Sequence, residues 1–310
     1  VEKGVNQPSF FEMMFLMALC IMEEEQPDIC LIETGMGGRY DATNVIIPEV
    51  SVITSISMDH MEFLGHTIEE IASHKAGIIK KAIPVVTMEQ EQAVSDILRE
   101  EAKQKMSPFY DVSEDNLKFE EKAAKYIDFL NANAYDKERD VRTNIAGEFQ
   151  KSNLAAALQT AELICGRLDE DKIYEALSQI RISGRMEEIA PGIIVDVSHN
   201  IQGMQGFVQT VEANYHGMKK RILFAASHQN EEEYMKNILK TIPEIEAFYT
   251  VGIHKRRINE AEFQDAFRKM IDRNQETTVC FVVGSFYLAG MAKEFINQEE
   301  ENCLLYTSPS

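Results

Sequence analysis

Residues 31–44 read LIETGMGGRYDATN, an apolar segment that ends on a carboxylate and continues into a glycine-rich turn. In a parallel sheet, this order places Glu33 at the carboxyl edge of a strand, where ligands bind. Glycines in such a turn let a ligand approach the backbone closely. The same pattern is also typical of an ordinary tight turn. The residues alone therefore mark Glu33 as a candidate without identifying its ligand.

Short apolar runs alternate with amphipathic segments around this turn. Thr67 followed by Glu70 predicts a capping box that opens a helix reaching Ile79. Alternation of strand and helix indicates an α/β fold with a parallel sheet. Strands are predicted at residues 29–32, 50–56 and 84–87, a hairpin with loops within residues 107–142, and helices at about residues 152–165 and 169–179.

A second alternation begins near Ser183 and Gly184 and predicts a smaller α/β unit of Rossmann type. We therefore expect two domains, residues 1–183 and residues 184–300. Residues 301–310 show neither a helical nor a strand period, and we expect a tail that is non-native or disordered. The strands of the second domain are predicted at residues 193–196, 221–226, 247–251 and 278–283.

Composition restricts the class of protein. A chain of 310 residues with 45% hydrophobic content can bury the cores of two domains. Its 31 basic and 51 acidic residues give a formal charge of −20, which argues against attraction to nucleic acid or to anionic membranes. The apolar run Phe10–Met22 contains Glu12 and is too short to span a bilayer, so it predicts a buried helix. Five scattered cysteines indicate free thiols and a cytoplasmic protein.

Two further residues stand where ligands are expected. His60 follows the strand predicted at residues 50–56, and a histidine there can present a neutral imidazole to a metal or serve as a hydrogen-bonded structural residue. Lys75 lies on the next helix, where most lysines are solvated. The small neighbours Ala76 and Gly77 allow that helix to approach another backbone or a ligand.

Residues 33–44, 51–65 and 75–80, in this order and spacing, together resemble the folylpolyglutamate synthase and dihydrofolate synthase family of the Mur ligase superfamily. The resemblance extends to about residue 290. It implies part of a P-loop ATPase domain followed by the Rossmann-like domain. It also implies that Glu33 and His60 coordinate a Mg²⁺ ion that bridges phosphate oxygens of ATP. Lys75 is implied to be a catalytic residue that is carbamylated near this metal; an unmodified lysine that pairs with phosphate is the alternative.

The resemblance extends to the nucleotide contacts. Asn153 matches a family residue near the adenine, although asparagine is also a good helix cap. Arg185, within the sequence SGRME, matches a linker residue that reaches phosphate, a task suited to a planar and permanently charged guanidinium. Asp196, within the sequence DVSHN, matches a residue that contacts the nucleotide. The resemblance therefore assigns Asn153, Arg185 and Asp196 to ATP.

Two residues are implied to face the incoming amino acid. His199 matches a family residue near the glutamate and is a candidate for catalysis and substrate binding. Ser285, within the sequence VGSFYL, matches a segment that contacts glutamate, and it also fits the N-cap of a helix. The departures from the family pattern at Val197, Ser198 and Ile201 affect the shape of the loop rather than its polar positions.

The implied activity is an ATP-dependent ligation of L-glutamate to folate through an acyl phosphate, with dihydropteroate as a second acceptor in a bifunctional enzyme. A monomer is expected, with no nucleic-acid or membrane partner. The sequence G-x-x-x-x-G-K-[ST] does not occur in the chain, so we expect the phosphate-binding loop upstream of Val1 and no activity of the chain alone. Two alternatives stay open, a muramyl-peptide amino-acid ligase and a non-catalytic remnant of the family.

Overall fold

The computed structural model describes residues 7–58, 61–88, 90–112, 117–123, 126–131, 140–143, 149–166, 169–226, 231–254, 257–271 and 277–307. Its internal contacts divide the chain into two compact units. The first unit comprises residues 1–113 and 152–168, and the second unit comprises residues 114–151 and 169–310. The predicted domain boundary between residues 183 and 184 stays a prediction.

The first unit is built on a parallel sheet of three strands in the order β1-β2-β3. Ser51 pairs with Val85, and Val85 pairs with Phe109. The strand predicted at residues 84–87 is therefore confirmed, and the strand predicted at residues 50–56 forms only over Ser51–Ile53. Its helices and strands are α1 (Phe10–Glu25), a 3-10 helix (Ala42–Val45), β1 (Ser51–Ile53), α2 (Met61–Leu64), α3 (Ile68–Ala76), β2 (Val85–Met88), α4 (Gln92–Gln104), β3 (Phe109–Val112) and α5 (Phe149–Cys165).

Helix α3 begins with the predicted capping box. The Thr67 hydroxyl accepts the Glu70 N–H at 3.2 Å, and the Glu70 carboxylate accepts the Thr67 N–H at 3.3 Å. The helix ends at Ala76 rather than at Ile79. On its buried side, Ile71 packs with Leu98 of α4 in the core of this unit. The capping box and the apolar face thus fix the helix that carries Lys75.

Two sequence predictions for the first unit are wrong. Helix α1 forms over the predicted apolar run, but none of its residues is buried, and Phe10 is 83% exposed. Residues 29–32 form no strand, and Leu31 is 96% exposed. An apolar pattern shows which side chains gain from burial, but burial also needs a facing surface. The described residues of the first unit cover α1 only in part, for example where Phe11 lies against Gly35.

The second unit contains a five-stranded sheet in the order β10-β9-β13-β8-β7, and only β7 is antiparallel to its neighbour. All four predicted strands are confirmed, with boundaries shifted by at most two residues. Its elements are β4 (Leu117–Ala123), β5 (Tyr126–Asn131), β6 (Asp140–Thr143), α6 (Glu170–Gln179), β7 (Glu187–Ala190), β8 (Ile193–Asp196), α7 (Ile201–Asn214), β9 (Lys219–Phe224), α8 (Glu232–Leu239), β10 (Ile245–Thr250), β11 (Ile253–His254), β12 (Arg257–Ile258), α9 (Glu260–Ile271), β13 (Thr278–Val283) and α10 (Phe286–Thr307).

Helices cover both faces of this sheet, as the Rossmann-type prediction requires. Phe207 of α7 and Leu239 of α8 pack on one face, and Phe267 of α9 and Phe295 of α10 pack on the other. Each fully buried phenylalanine contributes about 2–3 kcal/mol relative to an exposed one. The fold is therefore α/β with mainly parallel sheets, as predicted.

Smaller elements differ from the sequence prediction. Strands β4, β5 and β6 form a separate antiparallel sheet where a hairpin was predicted. Helix α10 continues to Thr307, through residues where no helical period was recognised. Across the described residues, no helix combines the length and apolarity that crossing a membrane requires.

Candidate functional site

The structure distributes the predicted site residues between the two units, and His60 lies outside the described residues. The first unit holds Glu33, Lys75 and Asn153; the second holds Arg185, Asp196, His199 and Ser285.

The glycine-rich turn lies against the C-terminal end of α3. The Arg39 N–H donates to the His74 carbonyl oxygen at 2.8 Å. Gly77 lies so close to the backbone of Arg39 that an added Cβ would collide with it. The prediction that Gly77 allows a close approach is confirmed. The partner is the backbone of the turn, and Lys75 lies partly buried in the helical turn between these contacts.

Arg39 secures the turn and was not singled out from the sequence. Its guanidinium donates to the Ser73 carbonyl oxygen at 3.2 Å and to the Glu101 carboxylate at 3.1 Å. Carbonyl groups at a helix C-terminus lack partners within the helix and attract cations. The sequence predicted that Gly77 allows a close approach but did not identify Arg39 as the partner, and Glu101 lies 62 positions away along the chain.

Asp41 closes the turn. One carboxylate oxygen accepts the Thr43 N–H at 2.9 Å and the Thr43 hydroxyl at 2.6 Å, and the other accepts the Met36 N–H at 2.8 Å. Desolvation raises the pKa of Asp41, but the hydrogen bonds from Thr43, Met36 and Gly35 together outweigh it, so the pKa lies below its usual value. Asp41 is therefore a charged structural residue of the turn.

Asn44 joins the turn to the segment after α3. Its side-chain amide donates to the carbonyl oxygens of Arg39 at 3.0 Å and Gly77 at 3.2 Å, and its own backbone oxygen accepts from Lys80 at 2.6 Å. Desolvation, together with the charge of Lys105, lowers the pKa of Lys80. The turn is thus held by three side chains, Arg39, Asp41 and Asn44.

The metal prediction rests on one described residue. Glu33 is exposed, and its carboxylate oxygens are the kind of ligand that Mg²⁺ prefers. Within the described ranges, no group of three acidic, histidine or cysteine side chains could hold a metal ion. The pairing of Glu33 with His60 therefore stays a prediction.

Asn153 lies inside α5, four residues after the first helical residue Phe149. It is partly buried. Because a cap precedes the first helical residue, the alternative in which Asn153 caps this helix is wrong. Its assignment to the adenine stays a prediction.

In the second unit, Asp196 is buried at the carboxyl end of β8. One carboxylate oxygen accepts the Ser198 N–H at 2.8 Å and the Ser198 hydroxyl at 2.5 Å, and the other accepts the Met186 N–H at 3.0 Å. Burial raises the pKa of Asp196, although these hydrogen bonds and the charge of Arg185 act in the opposite direction. Ser198 was treated only as a departure from the family pattern, yet it is a main partner of Asp196.

His199 follows on the same loop. Its Nδ1 lies 3.0 Å from the Val197 carbonyl oxygen, and its ring lies 5.6 Å from the Phe286 ring. A carbonyl oxygen only accepts, so Nδ1 donates and a neutral ring carries its acceptor on Nε2. The loop thereby fixes both the tautomer and the orientation of the imidazole.

Ser285 begins α10 beside this loop. Val283 of β13 pairs with Asp196 of β8, so the ends of the two strands meet at one edge. The Ser285 hydroxyl accepts the Leu288 N–H at 3.1 Å, and Ser285 is fully buried. The helix-cap alternative is therefore confirmed, and direct contact with glutamate stays a prediction. Arg185 lies partly buried on the turn that donates to Asp196. The structure thus brings all four candidates of this unit to the end of β8.

Comparison with known proteins gives three concordant findings. Residues 9–161 match the Mur ligase middle domain. The dihydrofolate synthase/folylpolyglutamate synthase of Bacillus subtilis (strain 168) is 33% identical over 245 residues, which cover 76% of this chain and 57% of that protein. The apo form of L. casei FPGS superposes with a TM-score of 0.82 at 25% identity, covering 94% of this chain and 72% of that chain.

A second solved structure carries ligands. An FPGS-AMPPCP-folate complex superposes with a TM-score of 0.80 at 26% identity, covering 94% of this chain and 72% of that chain. The chain therefore shares its fold with proteins of this type over nearly its whole length. It spans little more than half the length of the curated Bacillus relative.

Proposed function

We propose, because the chain belongs to the folylpolyglutamate synthase and dihydrofolate synthase family of Mur ligases, that its protein uses ATP to join L-glutamate to a folate. One observation carries the proposal: Arg185, Asp196 and His199 converge at the end of β8 in a chain that resembles the AMPPCP-folate complex. Dihydropteroate is the second acceptor if the protein is bifunctional, as the name of the Bacillus relative indicates.

The proposed reaction has two steps. A folate carboxylate oxygen attacks the γ-phosphorus of ATP, which forms an acyl phosphate and releases ADP. The amine of glutamate then attacks the acyl carbon, so that the C–N bond forms, the C–O bond to phosphate breaks, and inorganic phosphate and a proton leave. Positioning and charge stabilisation supply most of such catalysis. A protein nucleophile is not required.

The residues of the second unit fit separate tasks. We propose that the Arg185 guanidinium binds a phosphate oxygen. Asp196 holds the backbone of the turn that carries Arg185, and its contact with the nucleotide stays a prediction. His199 presents Nε2 as an acceptor, because its Nδ1 is held by Val197. That nitrogen is suited to accept a hydrogen bond, and then a proton, from the attacking amine.

In the first unit, we propose that Glu33 and His60 hold Mg²⁺. Lys75 is proposed to act near this metal, either as a carbamylated lysine or as an unmodified lysine that pairs with phosphate. When bound, Mg²⁺ would neutralise charge on the transferring phosphoryl group. The exposed carboxylate of Glu33 supports this role, and Asn153 is proposed to contact the adenine. We also propose that the protein is a cytoplasmic monomer.

Glutamate-dependent turnover tests the function directly. The assay uses the product of the full open reading frame and, separately, the 310-residue chain, with Mg-ATP, L-glutamate and either folate or dihydropteroate. We expect ADP release that requires all three substrates, and hydroxylamine should trap the acyl phosphate. We expect His199→Ala to lower kcat about 100-fold, the range for loss of a general base. His216→Ala is the matched control, because His216 lies near Glu244, beyond the amino end of β9.

The two alternative functions predict different results. ATP turnover with a UDP-linked muramyl peptide, and none with folate, would identify the alternative ligase. No turnover with any acceptor by the full reading frame product would favour the non-catalytic remnant.

A further inference from the structure

We propose that Lys293, on helix α10, is a positioning residue that holds residues 183–187, here called the 183–187 turn, in the shape that presents Arg185 to phosphate. The inference rests on the proposed function, because that function assigns Arg185 to a phosphate of ATP. The turn lies far from Lys293 along the chain, with 110 positions between Ser183 and Lys293. Their contact is therefore a product of the fold.

Lys293 contacts both ends of the 183–187 turn. Its ammonium donates to the Ser183 hydroxyl at 2.5 Å and lies 2.5 Å from the Glu187 carboxylate. The same Glu187 oxygen accepts the Gly184 N–H at 2.5 Å. The Lys293 and Glu187 side chains are 29% and 32% exposed, so water screens this pair less than a fully exposed one. One cation thus joins the first and last residues of the turn.

The backbone of the turn needs such support. Gly184 has φ +73° and Met186 has φ +46°, both in the left-handed region. This region costs a non-glycine residue about 1 kcal/mol. Residues held there persist where the surrounding contacts fix them. The Met186 N–H donates to Asp196 on one side, and the Lys293 contacts fix the other side through Glu187.

Arg185 lies between these two fixed points. The N–H groups of its neighbours Gly184 and Met186 donate to the carboxylates of Glu187 and Asp196. Two carboxylates therefore hold the backbone on either side of Arg185, together with the Val197 N–H, which donates to the Gly184 carbonyl oxygen at 2.8 Å. Of the two carboxylates, Glu187 is the one that pairs with Lys293 of α10. Loss of Lys293 would loosen the contacts of the Glu187 carboxylate and of Ser183, while the contacts from Asp196 and Val197 stay in place. Arg185 would then keep its charge, but the backbone from which its side chain extends would be held less firmly.

Two substitutions separate charge from shape. Lys293→Met removes the ammonium and keeps a long apolar side chain, whereas Lys293→Arg keeps the charge. Lys269→Met is the matched control, because Lys269 pairs with Asp265 at 2.6 Å on an exposed face of α9. In the full reading frame product, we expect Lys293→Met to raise KM for ATP about fivefold with little change in kcat, a factor typical of one charge-assisted contact. Lys293→Arg should restore most of the binding.

Trypsin cleavage after Arg185 provides a readout that needs no turnover. In the 310-residue chain, we expect Lys293→Met to be cut there faster than the wild type, Lys293→Arg and Lys269→Met. Equal cleavage rates in all four proteins, or a fall in kcat with an unchanged KM for ATP, would overturn the proposal. If the wild type shows no ATP turnover, the proposed function fails and the role of Arg185 fails with it. Faster cleavage of Lys293→Met would even then show that Lys293 holds the turn.

Discussion

Asp41 in the first unit and Asp196 in the second accept hydrogen bonds from the same three kinds of donor. In each, one oxygen accepts the N–H and the hydroxyl of the residue two positions later, and the other accepts a more distant backbone N–H. Their pKa values nevertheless move in opposite directions. Asp196 is 1% exposed, whereas Asp41 is only partly buried. At Asp196 the effect of burial outweighs the hydrogen bonds and the charge of Arg185, whereas at Asp41 the hydrogen bonds, including one from Gly35, outweigh the effect of burial.

The largest expected difference lies in alanine substitutions. Asp196→Ala leaves buried donors of Ser198 and Met186 without a partner, and we expect a loss of about 3 kcal/mol in the free energy of unfolding. Asp41→Ala removes the cap of a short 3-10 helix whose donors can turn to water, and we expect about 1 kcal/mol. Urea unfolding followed by circular dichroism measures both. Equal losses would show that burial does not distinguish the two sites.

A smaller difference is expected when only the hydroxyl donor is removed. Ser198→Ala takes one donor from a buried carboxylate, and we expect a loss of about 1–1.5 kcal/mol. Thr43→Val removes the matching donor of Asp41 and keeps the shape of the side chain, and we expect about 0.5 kcal/mol. The same urea titration applies. A greater loss in the free energy of unfolding for Thr43→Val than for Ser198→Ala would contradict the expected order.

The pH dependence of stability is expected to be the smallest effect, with opposite signs at the two sites. The raised pKa of Asp196 means that its contribution is complete below the unfolded value near 3.8 and is lost as pH rises through the folded value. The lowered pKa of Asp41 means that its contribution is complete above 3.8 and is lost as pH falls through the folded value.

The measurement compares each asparagine variant with the wild type between about pH 3 and pH 7. The advantage of the wild type over Asp196→Asn should shrink as pH rises above 3.8. Its advantage over Asp41→Asn should shrink as pH falls below 3.8. Parallel trends for the two variants would contradict the assigned shifts.

The sequence was sufficient to predict an element where the local capping or strand pattern agrees with the burial that the fold provides. The capping box at Thr67 and the strand at residues 278–283 were predicted closely, because each depends on neighbours in the chain or on a continuous apolar run. Helix α1 was predicted as a helix but wrongly as buried. Its pattern reports the affinity of the side chains for an apolar surface and says nothing about whether such a surface faces them.

The site was predicted only in part, because some of its residues follow from the order of the strands and others depend on contacts with distant residues. The polar positions Asp196, His199 and Ser285 follow recognisable strands, so their meeting at one edge follows from parallel pairing. The contact of Glu187 with Lys293 could not be predicted, because it depends on where α10 lies after the sheet is formed. The left-handed backbone at Met186 likewise has no signal in the residue type.

The order of strands in the second sheet has a consequence for biosynthesis. Strand β13 lies between β8 and β9, although it is the last of the five to leave the ribosome. Phe281 of this strand stacks edge-on against Phe207 and Tyr215, with ring centroids 5.6 Å and 5.1 Å apart. At about 5–20 residues per second, a nascent chain carries β8 and β9 for several seconds without the strand that joins them. A premature stop codon before residue 278 would therefore remove the centre of this sheet rather than an edge.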